Sequence, residues 1–104
     1  MKTALEILRE ARKLVANGWT QGVFLDRTNH EKDCYCAIGA MNQADTGYPA
    51  TPHLLSDGLE SARELFEKVT DHAITVAWND APDRTQADVV AAFDKAIELA
   101  EQAT

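Results

Sequence analysis

Apolar residues recur every three or four positions near both ends of this chain, which is the period of an amphipathic α-helix. Thr3 and Glu6 form an S/T-x-x-E capping box before the first apolar stripe, and Thr85 and Asp88 form a similar box before the second. Gly18 is expected to end the first helix. The stripes consist of Ala4, Ile7, Leu8, Ala11, Leu14 and Val15, and of Val89, Val90, Phe93, Ala96, Ile97 and Ala100. Such stripes are buried most simply when helices pack together around one core.

The segment "HEKDCYCAIGA", residues 30–40, is interpreted as the start of a short helix. Asp33 is the expected N-cap, with the helix running from Cys34 to a stop at Gly47. The small residues of "CAIGA" would let another helix approach closely. The segment therefore favours tight packing over chemistry.

A further helix is predicted after residue 50. Thr51 followed by Pro52 suits an N-cap and a first helical position, although the helix could instead begin at Ser56. Gly58 weakens the pattern near its start. The apolar positions at helical spacing are Leu55, Leu59, Ala62, Phe66 and Val69.

Two stretches lack a clear period. Residues 20–33 are expected to be irregular or to form a hairpin, with a short strand or packed loop at residues 23–25. Residues 71–80, "DHAITVAWND", are ambiguous, and the helical surroundings favour a helix. The predicted fold is mainly α: a compact four- to five-helix single domain, residues 1–104, with a small irregular or hairpin insert near residues 20–33.

Composition restricts the classes of function. A chain of 104 residues with 45% hydrophobic and 26% charged residues is typical of one globular domain, and no stretch is apolar enough to span a bilayer. The charged N-terminal segment does not resemble a secretion signal, and the two cysteines, one residue apart, are expected to be free thiols. The cytoplasm is therefore the expected compartment. A formal charge of −7 argues against nucleic acid as a partner.

One metal-ligand set is present in the sequence. His30, Cys34, Cys36 and His53 are two histidines and two cysteines, the residue types that bind zinc tetrahedrally. The Cys-x-Cys spacing is tighter than the usual gap between zinc ligands, and on a helix it would point the two sulfurs apart. We therefore expect buried thiols, and no metal or other cofactor.

A thiol enzyme is the sharper alternative. Near the first turn of a helix, Cys36 would see the positive end of the helix dipole, which favours the thiolate. The groups available to complete such a site are Gln21 as an oxyanion donor, His53 or His72 as a base, and Asn79 or Asp80 as an orienting group. The order Gln, Cys, His, Asn resembles that of papain-like proteases, but the resemblance is one of order alone.

The motif "WNDAPDR" supports two interpretations. Asn79 and Asp80 are strong turn formers, so a structural turn with Trp78 as a core anchor is favoured. In this interpretation Arg84 pairs with Asp80 or with the acidic segment beyond it. Alternatively, Trp19 and Trp78 frame a pocket in which Asn79, Asp80 and Arg84 bind a small anionic ligand. Two tryptophans and an arginine are also typical anchors of a protein interface.

Three motifs in this order resemble those of a family of small uncharacterised bacterial and phage proteins, a domain of unknown function. They are Trp19, Thr20 and Gly22; Cys36, Ala37, Gly39 and Ala40; and Trp78, Asn79, Asp80, Arg84 and Thr85. The resemblance spans nearly the whole chain. It implies a shared fold unit and no particular activity.

The favoured hypothesis is a small, acidic, cytoplasmic binding module without catalytic activity and with a phage link. It would act on a protein partner or by self-association as a homo-oligomer, and not at a membrane. The alternatives are a cysteine-dependent hydrolase or transferase using Cys36 with His53 or His72, and a protein that binds a small anionic ligand near Trp19, Trp78 and Arg84.

Overall fold

A computed structural model describes residues 2–28 and 31–103. Over this part of the chain five helices surround one core, and a two-stranded antiparallel hairpin lies at one side of them. The elements are α1 (Ala4–Asn17), β1 (Leu25–Asp26), β2 (Cys34–Tyr35), α2 (Ala37–Thr46), α3 (Asp57–Thr70), α4 (Thr75–Asn79) and α5 (Gln86–Gln102). The predicted mainly α-helical single domain with a small hairpin is confirmed.

The capping boxes fix the starts of the first and last helices. The Thr3 hydroxyl accepts a hydrogen bond from the Glu6 N–H at 3.2 Å, and the Glu6 carboxylate accepts one from the Thr3 N–H at 3.0 Å. The same reciprocal pair joins Thr85 and Asp88, at 3.1 and 3.0 Å. Both boxes were predicted from the sequence, because each is a purely local signal.

The core lies where α1 packs against α2, α3 and α5. Ile7 and Leu8 of α1, Phe66 of α3 and Phe93 of α5 are fully buried. The ring centroids of Phe66 and Phe93 are 4.7 Å apart, and Trp78 meets Phe66 edge-on at 5.5 Å. The short helix α4 is thereby attached to the core through Trp78, in agreement with its predicted role as an anchor.

The predicted start of the second helix is wrong. Asp33 does not cap it, because Cys34 and Tyr35 form the strand β2, which pairs with β1. The Tyr35 N–H donates to the Gly18 carbonyl at 2.9 Å, and the Tyr35 carbonyl accepts from the Thr20 N–H at 3.1 Å. These long-range backbone bonds hold the segment extended, so α2 begins three residues later than predicted, at Ala37.

The sequence predicted that the small residues of α2 would let another helix approach, but at Gly39 the neighbour is an extended backbone. A Cβ at Gly39 would lie 2.1 Å from the carbonyl oxygen of Phe24. The same carbonyl accepts a hydrogen bond from the Cys36 N–H at 3.3 Å. Gly39 is therefore required by the close approach of the segment that leads into β1.

The helix α3 begins at the second of the two predicted positions. The Ser56 hydroxyl caps it by accepting a hydrogen bond from the Leu59 N–H at 3.0 Å. Thr51 is not a cap, because its hydroxyl accepts a bond from the Asn42 amide at 3.2 Å and belongs to the preceding loop. Gly58 marks another close approach, since a Cβ there would lie 2.1 Å from the Lys2 carbonyl oxygen.

Within the described residues, no helix is long and apolar enough to cross a lipid bilayer.

Candidate functional site

Asn79 connects three parts of the chain through one buried side chain. Its Oδ1 accepts hydrogen bonds from the Trp19 indole N–H at 2.8 Å and from the Ala37 N–H at 3.1 Å. Its Nδ2 donates to the Thr20 carbonyl at 3.1 Å and to Asp80 Oδ1 at 3.0 Å. A fully buried amide whose donors and acceptors are all hydrogen-bonded has a structural role, because no group of it remains to bind a ligand.

Gln21 and Asp80 extend this set of hydrogen bonds. The Gln21 side chain donates to the carbonyls of Asn79 and Ala81, at 3.0 and 2.9 Å. Asp80 Oδ1 also accepts a bond from the Gly22 N–H at 3.0 Å. We call residues Trp19, Thr20, Gln21, Asn79 and Asp80 the Asn79 cluster. It holds the loop after α1 against the end of α4 and the start of α2.

Arg84 packs on the neighbouring tryptophan. Its guanidinium carbon lies 4.0 Å from the Trp78 ring centroid, a cation–π geometry, and its Nε donates to the Trp78 carbonyl at 2.9 Å. The predicted pairing of Arg84 with Asp80 is not among the ion pairs of the described residues. Arg84 therefore fixes the turn after α4 and leaves Asp80 without a cation from its own loop.

The five predicted binding residues thus divide into two groups. Trp78 and Arg84 line a recess of about 380 Å³ with Asp88 and Lys95. Trp19, Asn79 and Asp80 lie in the Asn79 cluster, and Trp19 is not among the residues that line that recess. The two tryptophans therefore do not face each other across this recess.

Asp80 lines a larger cleft, of about 640 Å³. Its walls come from the segment before and within β1, from the loop between α2 and α3, and from α4. Their apolar members are Val23, Phe24, Leu25, Pro49, Ala50 and Val76. Cys36 and Asp80 supply the side chains that are not aliphatic or aromatic. We call this the apolar cleft.

Hydrogen bonds and close packing position the walls of the apolar cleft. The Asn42 amide of α2 donates to the Pro49 carbonyl at 2.9 Å and so fixes the loop wall. Phe24 is held by its backbone contact with Gly39, and Gly22 by its bond to Asp80. The loop wall and the wall before β1 are thus attached to buried parts of the fold, which favours a cleft of fixed shape.

The apolar cleft and the segments that form it expose several large apolar side chains. Val23, Phe24 and Val76 line the cleft and are themselves exposed. Tyr48, adjacent to Pro49 in the chain, is 73% exposed, Ile74, two residues before Val76, is 62% exposed, and Leu54, farther along the loop between α2 and α3, is 81% exposed. Large exposed apolar side chains concentrated in a few neighbouring segments are typical of an interaction surface.

Cys36 has a structural role at the start of α2. It is the N-cap, and its Sγ accepts a hydrogen bond from the Gly39 N–H at 3.3 Å. Burial raises the pKa of the Cys36 thiol and the Asp80 carboxylate adds to this, against a smaller lowering by the Gly39 and Ile38 N–H groups. The net direction is opposite to the one a reactive thiolate needs.

The histidines proposed as bases lie elsewhere. His53 is exposed in the loop between α2 and α3, and His72 is exposed beyond the end of α3, where its Nδ1 accepts a bond from the Ile74 N–H at 3.2 Å. Neither is among the residues that line the apolar cleft with Cys36. Gln21 and Asn79 are bonded within the Asn79 cluster. The structure therefore does not assemble the proposed catalytic set.

The metal-ligand set is only partly within the structure, because His30 lies outside the described residues. Cys34 and Cys36 are free thiols, half-buried and buried respectively. Among residues 2–28 and 31–103 no group of three or more histidine, cysteine, aspartate or glutamate residues is arranged to hold a metal ion.

Sequence reasoning missed the apolar cleft. The sequence predicts a short strand or packed loop at Val23 and Phe24, and it predicts a helix boundary within "YPATPHLL", residues 48–55, with no surface role for its apolar residues. The available signal was the presence of large apolar residues, such as Tyr48 and Leu54, among turn formers. An apolar residue in a loop must either pack inward or remain exposed, and sequence alone does not distinguish these outcomes.

Comparison with known proteins gives a family and no activity. The sequence model of a family of unknown function, DUF6197, matches residues 1–99, and the chain belongs to that family. No curated protein and no solved structure matches the chain.

Proposed function

We propose that this member of the DUF6197 family is a non-catalytic binding module whose apolar cleft receives part of a protein partner or of a second copy of the chain. The observation that carries the proposal is the exposure of large apolar side chains in the cleft and in the segments that form it. Such a surface has a free-energy cost in water that a partner relieves on binding.

The chemistry of the cleft favours binding over catalysis. Its lining is mostly aliphatic and aromatic, and the nucleophile it contains, Cys36, is 2% exposed. A hydrolase or transferase using Cys36 would need a base beside the sulfur, and no histidine of the described residues lines the cleft. The cysteine enzyme is therefore the less supported proposal.

The proposed compartment is the cytoplasm. Cys34 and Cys36 are both free, and free thiols persist in a reducing compartment. A role in bacteria or phages, which the sequence motifs suggested, stays a prediction.

Site-specific photo-crosslinking tests the main proposal. A benzophenone amino acid would be placed at Val23 or at Val76 on the apolar cleft, and at Glu98 on α5 as a control, in cells that contain the natural partners. We expect the same adduct from both cleft positions and none from Glu98. Sedimentation of the purified protein distinguishes a second copy from another partner. A monomer with no adduct specific to the cleft would refute the proposal.

A second candidate function rests on the recess beside Trp78. Arg84 and Lys95 are both among its lining residues, so a small anion is the ligand whose charge they would complement. Asp88 lies in the same recess and weakens this case. A thermal-shift screen of phosphate and small carboxylates would test it, because a ligand at 100 times its Kd adds about 2.7 kcal/mol to stability. The matched variant is Arg84→Gln, and a shift that this substitution does not remove would refute this function.

A further inference from the structure

Asp80 is the one acidic side chain among the residues that line the apolar cleft, and the hydrogen bonds of the described residues use only one of its two oxygens. Oδ1 accepts the bonds from Asn79 Nδ2 and the Gly22 N–H, both at 3.0 Å. Within residues 2–28 and 31–103, Oδ2 accepts no hydrogen bond and forms no ion pair. Asp80 is also only half-buried. The hydrogen bonds of the fold therefore orient the carboxylate through Oδ1 and leave Oδ2 without a partner among these residues.

A partner that filled the cleft with apolar groups alone would bury this carboxylate without compensation. Removing a charge from water without pairing it is costly, so a purely apolar occupant would lose much of what the apolar walls contribute. An occupant that brings a cation to Asp80 avoids that loss and gains a charge-assisted hydrogen bond. The lining thus selects for an apolar group with a positive charge beside it.

Lysine and arginine side chains fit both halves of this description. Their aliphatic stems pack along apolar surfaces, while their charged ends reach a polar group at the edge. No lysine or arginine of the described residues lines the cleft, and the nearest in sequence, Arg84, is engaged with Trp78. The chain itself therefore supplies no cation to Asp80 from these residues.

The extent of the exposed apolar surface favours a polypeptide over a small molecule. The cleft volume alone would suit either. Tyr48, however, directly precedes Pro49, and Ile74 lies two residues before Val76, and both are more than half exposed. A small ligand covers only the lining residues, whereas a peptide is long enough to fill the cleft and also contact these neighbouring side chains.

Resting on the proposed function, we infer that the apolar cleft binds a segment of a protein partner in which a lysine or arginine adjoins one or two large apolar side chains. The apolar side chains occupy the walls near Val23, Phe24 and Val76, and the basic group pairs with Asp80 Oδ2. Asp80 is thus the residue that sets specificity, and the walls supply most of the affinity.

The test is selection of peptides from an mRNA-displayed library of random dodecapeptides on the immobilised protein. We expect enriched sequences that combine Lys or Arg with Leu, Ile, Phe or Trp at adjacent or next-adjacent positions. A synthetic peptide from the selection should shift the amide NMR signals of Val23, Phe24 and Val76.

Two variants with equal change in net charge examine the role of Asp80. Asp80→Asn retains an oxygen to accept the bonds from Asn79 and Gly22 but removes the negative charge. It should raise the Kd of the selected peptide about fivefold. Asp83→Asn, exposed on the same loop, should leave the affinity unchanged. Thermal unfolding of each variant checks that the fold is retained.

Different results would overturn the inference alone or the proposed function as well. Enrichment of apolar residues without a basic one, or equal affinities for Asp80→Asn and the parent, would overturn the inference and leave the apolar binding function in place. No enrichment, or NMR shifts confined to another surface, would overturn both. A dimer that Val23→Glu dissociates would assign the cleft to a second copy of the chain and also overturn the inference.

Discussion

The two sides of this small domain use apolar residues in opposite ways. On the side formed by α1, α3 and α5, large apolar side chains such as Ile7, Phe66 and Phe93 are fully buried. On the side formed by the hairpin, the loop between α2 and α3, and α4, similar side chains such as Leu54 and Ile74 stay exposed. The first side supplies stability. The second retains the apolar surface that a partner could bury.

The largest expected difference between the two sides is in stability. Phe66→Ala removes a ring that contacts both Phe93 and Trp78, and we expect a loss of about 3–5 kcal/mol in the free energy of unfolding. Val23→Ser on the apolar cleft should change it by no more than about 0.5 kcal/mol. Urea denaturation of both variants provides the measurement. Similar losses would show that the cleft side also carries the core.

Asn79 joins the loop after α1 to the start of α2 and the end of α4, and its removal should have the next largest effect. Asn79→Ala leaves the Trp19 indole N–H, the Ala37 N–H and the Thr20 carbonyl without their partner. We expect a loss of about 2–4 kcal/mol, since each buried unpaired group costs about 1–3 kcal/mol. The tryptophan fluorescence of the variant should shift to longer wavelength, because Trp19 becomes more exposed to water. An unchanged emission spectrum would contradict the assigned role of the Asn79 cluster.

A substitution at Gly39 should affect both the stability of the fold and peptide binding at the apolar cleft. Gly39→Ala puts a methyl group against the Phe24 carbonyl, and we expect a loss of about 1–3 kcal/mol together with displacement of the cleft wall. Gly47→Ala is the contrasting variant. It has open space but a φ of 84°, so its cost of about 1 kcal/mol should come from backbone strain alone. Denaturation gives the costs, and weakened peptide binding in Gly39→Ala alone would locate the effect at the cleft.

The smallest expected effect concerns the thiols. Because burial raises its pKa, Cys36 carries less thiolate at pH 8 than an ordinary cysteine, and its exposure is only 2%. We expect iodoacetamide to label Cys36 at least about tenfold more slowly than half-buried Cys34, with the difference lost in urea. Site-resolved mass spectrometry of the native protein measures both rates. Faster labelling at Cys36 would restore the cysteine enzyme as the better proposal.

The elements that sequence predicted well are those determined by neighbouring residues. The capping boxes at Thr3 and Thr85 and the stripes that follow them depend on contacts three or four residues apart. The predicted start of α2 was wrong because Tyr35 bonds to the backbone of Gly18 and Thr20, and no local pattern encodes these bonds. Long-range pairing overrode the local preference of Asp33 for an N-cap.

The candidate site was harder to predict from the sequence for the same reason. Asn79 was predicted to bond the backbone of a nearby turn, but its side chain instead bonds Trp19 and Ala37, which are 60 and 42 positions away and are not indicated by any local pattern. The apolar cleft combines Phe24, Pro49 and Val76 from three separate segments, none of which has a helical or strand period. Only the three-dimensional arrangement reveals that these exposed residues share one surface.

The Asn79 cluster also has a consequence for how the molecule acquires its binding competence. Hydrogen bonds between residues about 60 positions apart require closure of a long loop, whereas α1, α3 and α5 each form from local contacts. We therefore expect helical turns to form early in folding and the cleft to take shape only when the long-range contacts close. A newly made chain would pass through a state that is already helical but cannot yet hold a partner. Association would then report that folding has finished.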